Sequence, residues 1–232
     1  APVTQYLKTW VFPPSEFDIQ AVTARLLLTH TAGLPIGDFY NFYSPTDEIP
    51  TLRESLFNEA VLLKEPGQSF YYSNVGFNLL ELIIEDVTGY DFNEYMTSEI
   101  LLPLEMHASN FTWSETFDPP VPTGYNLAGK PIPVYVYPEK GSGGLFAPVE
   151  DIAQFVIAEM QSESYSIPVL SPFSINSMHQ PMVHELGMYS LVFDGYGFGH
   201  YIEVLPDKNV SISHGGQGTG WMTHFQAVPQ TG

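Results

Sequence analysis

Helical and strand signals occupy different parts of this sequence, which predicts a mixed α and β domain with the two kinds of element segregated. Three observations carry that expectation. Residues 74–88, NVGFNLLELIIEDVT, have apolar side chains at helical spacing and are closed by Gly89 in the position of a C-terminal cap. A second helical pattern opens at Pro148 and runs through Met160. Beyond Gly195 the pattern changes to short β-type runs separated by turn residues, the signature of an antiparallel meander.

In chain order, residues 23–30 read as a short helix stopped by Thr31-Ala32-Gly33-Leu34-Pro35. A helix from about Phe92 to Ile100 follows the 74–88 helix and ends before Pro103. Residues 114–144 are rich in Pro and Gly and read as long loops with at most a small hairpin, Val134 to Tyr137 being the most strand-like piece. Loops of that length line sites. In the helix after Pro148, Glu150 and Asp151 favour the positive end of the dipole, and Ile152, Phe155, Val156 and Met160 form the apolar face. The expected strands are Phe198 to Leu205, Val210 to Ser213 and Trp221 to Val228, with a turn at Pro206 to Asn209 and a Gly-rich interval before Trp221.

Composition narrows the function classes. With 232 residues, 44% hydrophobic and 14% aromatic, the chain can fill a substantial core, and no apolar run approaches the ~18 residues of a membrane-spanning helix. The net charge of -19 comes from only 7 Lys and Arg against 26 acidic residues. Scattered basic residues exclude the clustered cations that bind nucleic acid. Without cysteine there is no disulfide scaffold, thiol nucleophile or thiolate metal site. His179, His184 and Glu185 match no standard ligand spacing, so no metal is expected. Asn110-Phe111-Thr112 and Asn209-Val210-Ser211 match glycosylation sequons. The aromatic residues Phe39, Tyr40, Phe42 and Tyr43 either line a cleft or cover the core.

Two segments have the residue types of a reactive site. Tyr72 and Asn74, two apart in Phe70-Tyr71-Tyr72-Ser73-Asn74, stand where a loop enters the strongest helix and can both project into one cleft. His214-Gly215-Gly216-Gln217 stands at the end of an expected strand, where glycines let backbone N–H groups approach a developing oxyanion.

With their order along the chain, these segments resemble the serine β-lactamase and penicillin-binding-protein family, in particular its class C and esterase-like branch. Leu27 to Pro35, Pro66-Gly67 with Phe70 to Asn74, Val87-Thr88-Gly89, Pro103-Leu104-Glu105-Met106, Gly143-Gly144-Leu145 with Asp151 to Phe155, and His214-Gly215-Gly216 all match in order, Glu105 replacing the family's usual Gly. The resemblance implies an α+β fold of the β-lactamase/transpeptidase type, with an antiparallel sheet, flanking helices and a mainly helical subdomain. It places the loop and helical part at about 20–142, the helix and strands at about 143–232, and the site at their junction. It also implies acyl-enzyme chemistry on a lactam, amide or ester, with Tyr72 shuttling a proton, Asn74 bonding the substrate amide or an active-site lysine, and His214 replacing the third box's basic residue. Gly215, Gly216 and Gln217 would border the substrate, the Gln217 main-chain N–H forming half of an oxyanion hole. A small-molecule or peptide substrate is implied, and no cofactor.

The departure from the family is its first box. No serine precedes any of the five lysines by three residues, so S-x-x-K, which supplies the nucleophile, is not in these 232 residues. A G-x-S-x-G elbow is also absent. The resemblance places S-x-x-K roughly two dozen residues upstream of Ala1, so the chain is expected to be inactive alone and its sheet incomplete at both ends, the exposed edges covered by a partner copy or the sheet reduced. The alternative is a non-catalytic relative binding peptide or cell-wall ligands. The family setting favours an extracellular or periplasmic location; no signal peptide is visible after Ala1-Pro2-Val3.

Overall fold

A computed structural model describes residues 1–37, 42–160 and 169–231, so Phe39 and Tyr40 lie outside the described residues. The helices are α1 (Ala24–Leu28), α2 (Leu52–Glu59), α3 (Asn74–Thr88), α4 (Phe92–Met96), α5 (Val149–Met160) and α6 (Pro172–Met178). The strands are β1 (Gly124–Tyr125), β2 (Pro131–Ile132), β3 (Gly195–Tyr196), β4 (Tyr201–Val204), β5 (Val210–Gly218) and β6 (Trp221–Ala227).

The central helix α3 starts at a Ser73 cap, whose Oγ accepts the Gly76 N–H, and stops at Gly89 with φ 78°. Leu79 and Leu82 on its buried face join Leu27 of α1, Leu52 and Leu56 of α2, and Val3 and Trp10 from the amino-terminal segment in one apolar core. Asp86 extends that packing with polar bonds, accepting the Lys8 and Thr9 N–H groups at 2.6 and 3.0 Å.

The second layer is an antiparallel sheet in the order β3-β4-β5-β6, with β1 and β2 forming a separate two-stranded hairpin. Ile202, Ile212 and Ala227 of the sheet pack on Val156 and Met160 of α5. Phe70, from the loop before α3, packs with Leu186, Tyr196 and Tyr201 and so joins the helical layer to the sheet.

Several elements differ from their expected form. The 92–100 helix becomes α4 followed by a π turn, Thr97–Leu101. Glu105, where the family has Gly, has φ 61°, the left-handed conformation that glycine adopts without steric cost. The hairpin in the long loop is β1–β2, and Val136 makes only an isolated bridge to Tyr43. The strand expected over Phe198 to Leu205 is confined to Tyr201–Val204, while that over Val210 to Ser213 extends to Gly218. His214-Gly215-Gly216-Gln217 is therefore interior strand and not a strand end with a turn, because β6 pairs with it as far as Gly218 opposite Trp221. Helices α2 and α6 and strand β3 were not expected.

Candidate active site

The polypeptide around Tyr72 is fixed by the turn after α1. His30, at φ 53°, turns its ring inward, where it is buried. Its Nδ1 accepts the Ser73 N–H at 3.1 Å, and its Nε2 lies 3.0 Å from the Tyr196 hydroxyl. Nδ1 is thus bare and Nε2 carries the hydrogen. Burial first, then the charge on His214, lowers His30 to about 3, so the ring stays neutral. The neutral ring forms the floor beneath Tyr72, ring centres 4.1 Å apart. Ser73 donates to the Pro35 carbonyl at 2.6 Å and Asn74 N–H donates to the Ile36 carbonyl at 3.0 Å, which ties the Tyr72–Asn74 segment to the same turn. His30 thus bonds backbone at Ser73 and reaches across the layer boundary to Tyr196.

His214 comes from β5, 142 residues later, and its Nε2 stands 3.5 Å from the Tyr72 hydroxyl, the outer limit of a hydrogen bond. The structure therefore brings these two predicted residues together. Asn74 is half-buried at the first position of α3, two residues from Tyr72. Gly215, Gly216 and Gln217 are exposed on β5 directly beyond His214.

The ladder around them has a gap. Strand β4 pairs with β5 only up to Tyr201 opposite Ser213, while β6 continues to Gly218. Among the described residues, the β4-side edge of β5 over 214–218 has no strand partner. The exposed stretch Gly215 to Gln217 can offer backbone N–H and C=O groups to an extended ligand. At the far end of this edge the long loop closes in. Tyr135 donates to the Thr219 carbonyl at 3.2 Å and Trp221 Nε1 donates to Pro122 O at 3.0 Å. Gly124 lies under the Trp221 indole, where a Cβ would come within 2.7 Å of the ring.

Burial, then the neighbouring Tyr189, pushes the Tyr72 phenol up to about 12. Burial, then His200, holds His214 below the ordinary histidine range. At neutral pH the pair is a phenol beside a neutral imidazole, able to pass a hydrogen between them and unable to hold a charge unaided. Tyr189 and Tyr201, which flank Tyr72 and His214, went unread in the sequence because they lie in a segment without a motif; Tyr201 lies 5.7 Å from the His214 ring. Among the described residues no group of three or more His, Asp or Glu is placed to hold a metal ion. A shallow surface depression lined by Trp10, Arg53, Glu54, Phe57 and Asn58 shares no residue with the site.

A Tyr and a His converge from the α3 entrance and from β5, and the whole of residues 1–232 matches the Beta-lactamase family. The chain belongs to the beta-lactamase family. Penicillin-binding protein 4* of Bacillus subtilis is 28% identical over 228 residues, 89% of this chain and 49% of that protein. Protein flp of Staphylococcus aureus is 32% identical over 124 residues, 52% of this chain and 24% of that protein. The chain spans about half the length or less of these curated relatives. The octameric penicillin-binding protein homologue from Pyrococcus abyssi superimposes with a TM-score of 0.78 at 24% identity, over 99% of this chain and 53% of that one. A class C beta-lactamase gives 0.72 at 17% identity, over 98% and 65%. These structures establish the beta-lactamase/transpeptidase-like α+β fold, and membership supports serine-hydrolase-type function in general.

Proposed function

We propose that this chain carries one wall of a serine acyl-transfer site whose nucleophilic Ser and partner Lys belong to the same protein outside residues 1–232. The whole protein, in this reading, hydrolyses a lactam, amide or ester through an acyl-enzyme. The observation that carries it is the meeting of Tyr72 and His214 beside the uncovered edge of β5. The serine oxygen attacks the substrate carbonyl and gives its proton to the Tyr72 oxygen as the phenol hydrogen moves toward His214. The same relay run backward protonates the leaving group. The Gln217 main-chain N–H, on the open stretch of β5, is assigned to the oxyanion, and Asn74 to the substrate amide or the lysine. Self-association through the outer strands β3 and β6 is part of the proposal, as is an extracellular or periplasmic setting.

The test is hydrolysis of a chromogenic cephalosporin and a short-chain aryl ester, by this chain and by a version extended upstream through ~60 further residues of its reading frame. Activity in the extended protein alone is the expected result. Activity in neither supports a non-catalytic relative that binds peptide or cell-wall ligands, and activity in the 232-residue chain overturns the assignment of the nucleophile.

A further inference from the structure

The described residues hold a second buried group of titratable side chains that the proposed relay leaves unused. Glu159 in the last turn of α5 is 3% exposed, His200 between β3 and β4 is 3% exposed, and His179 at the end of α6 is 9% exposed. His200 Nδ1 lies 3.0 Å from the Phe198 carbonyl oxygen and its Nε2 lies 3.1 Å from Glu159 Oε2. A carbonyl oxygen only accepts, so Nδ1 carries a hydrogen, and a further hydrogen lies between Nε2 and Oε2. Neither nitrogen is free to turn. The edges of His179 and Phe225 close on the same ring, with centres 5.9 and 5.8 Å away.

The register places this fixed ring next to the site. Tyr201 is opposite Ser213 in the last β4–β5 pair, so His200 stands beside His214 one step further on. A simple anchor for α5 does not account for the pair. Among the described residues Glu159 Oε1 and His179 Nε2 are buried with no hydrogen-bond partner, and apolar side chains of the same volume would hold the helix to the sheet without that penalty.

We propose that Glu159 and His200 are positioning residues for His214, the carboxylate locking the His200 ring and that ring holding His214 so that it presents an unprotonated Nε2 to the Tyr72 hydroxyl. Tyr72 from the loop before α3 and Tyr201 from β4 contact His214, His200 from the β3–β4 turn and His224 from β6 act on it electrostatically, and His30 lies beneath Tyr72. After burial, His200 is the largest influence holding His214 below the ordinary histidine range, and His224 acts in the same direction. The consequence for catalysis rests on the proposed function. The placement of the rings does not, and is read separately.

The experiment is a pH titration of the imidazole nitrogens by long-range 1H–15N NMR on the chain, in the wild type, His200→Gln, Glu159→Gln and Val156→Ala. His200→Gln is expected to move the His214 midpoint upward, and Glu159→Gln to change the His200 and His214 signals together. Val156→Ala loosens the same helix–sheet contact without touching the charged pair and is expected to leave His214 unmoved. An unchanged His214 curve in His200→Gln, a change confined to His200 in Glu159→Gln, or an equal shift in Val156→Ala overturns the proposal. Should a polar variant not fold, the wild type decides: a through-space NMR contact between the His200 and His214 ring protons is expected, and its absence overturns the proposal.

Discussion

Glu81 makes the stability of this protein fall as the pH rises toward neutrality. Its side chain is buried on α3, and Oε2 accepts the N–H groups of Lys140 at 2.7 Å and Gly141 at 2.6 Å, clamping the end of the long loop to the helix. Burial raises Glu81 to about 7 despite those two bonds and the Lys140 charge, from an ordinary 4.5. Between 4.5 and 7 the folded protein holds a proton that the unfolded chain releases. The stabilisation is therefore complete below pH 4.5 and is lost as the pH passes 7. At about 1.4 kcal/mol per pH unit, the gap is worth about 3 kcal/mol. Glu81→Gln keeps a carbonyl oxygen for both N–H donors and removes the ionisation. Urea denaturation of the two proteins in parallel from pH 4.5 to 8 cancels the titrations they share. The stability of Glu81→Gln relative to wild type should rise by about 3 kcal/mol across that range. A difference that stays flat would refute the buried-carboxylate reasoning.

His30 gives the opposite slope: lowered from 6.5 to about 3, it supplies stability above pH 6.5 that is lost as the pH falls through 3, about 5 kcal/mol at most. Acid denaturation of His30→Gln should lack that portion of the wild type's loss, although the variant starts less stable. Thr51 and Glu54 form a reciprocal cap on α2, so Thr51→Ala should cost about 1 kcal/mol in denaturant titrations, with the first turn of α2 losing its hydrogen-exchange protection. Leu79, fully buried in the helical core, should cost about 2–5 kcal/mol as Leu79→Ala by the same measurement. Tyr72→Phe should change stability by less than about 0.5 kcal/mol, because its hydroxyl contact is long, while abolishing hydrolysis by the extended protein.

Helix α3 was legible because its local and tertiary signals agree: Ser73 and Gly89 bound an apolar stripe that the core then uses. Strand β5 was legible only as far as Ser213, because Gly215, Gly216 and Gly218 read as breakers and only β6, which pairs with all three, makes them strand. Helices α2 and α6 carried readable caps, Thr51 with Glu54 and Ser171 before Pro172, on runs too short for periodicity to show. Tyr72 and Asn74 stand two apart at a helix entrance, a spacing that the family resemblance, and not the spacing alone, singled out. Pairing Tyr72 with His214 needed the family resemblance, since 142 residues separate them. Nothing in the spacing pointed to Glu159 and His200, 41 residues apart, because a buried carboxylate and its imidazole are matched only by the packing of α5 on the sheet.

The electrostatics of the Tyr72 wall state what the proposed first box has to supply. A phenol held at about 12 beside a lowered imidazole is a relay without a driving charge, and neither group can by itself take a proton from a serine at pH 7 to any useful extent. An opposite charge within ~4–6 Å moves such a group by about one to three pH units, so a cation facing Tyr72 converts the relay into a working base. The chain's nearest lysine in sequence does not serve. Lys64 stacks over the ring of Tyr71, 4.7 Å from its centre. The first box, as proposed, brings a lysine one helical turn from the serine it activates. Under the proposed function, Tyr72, buried on neutral His30 and next to neutral His214, takes its driving charge from that lysine, and proton transfer depends on the nucleophile segment being in place.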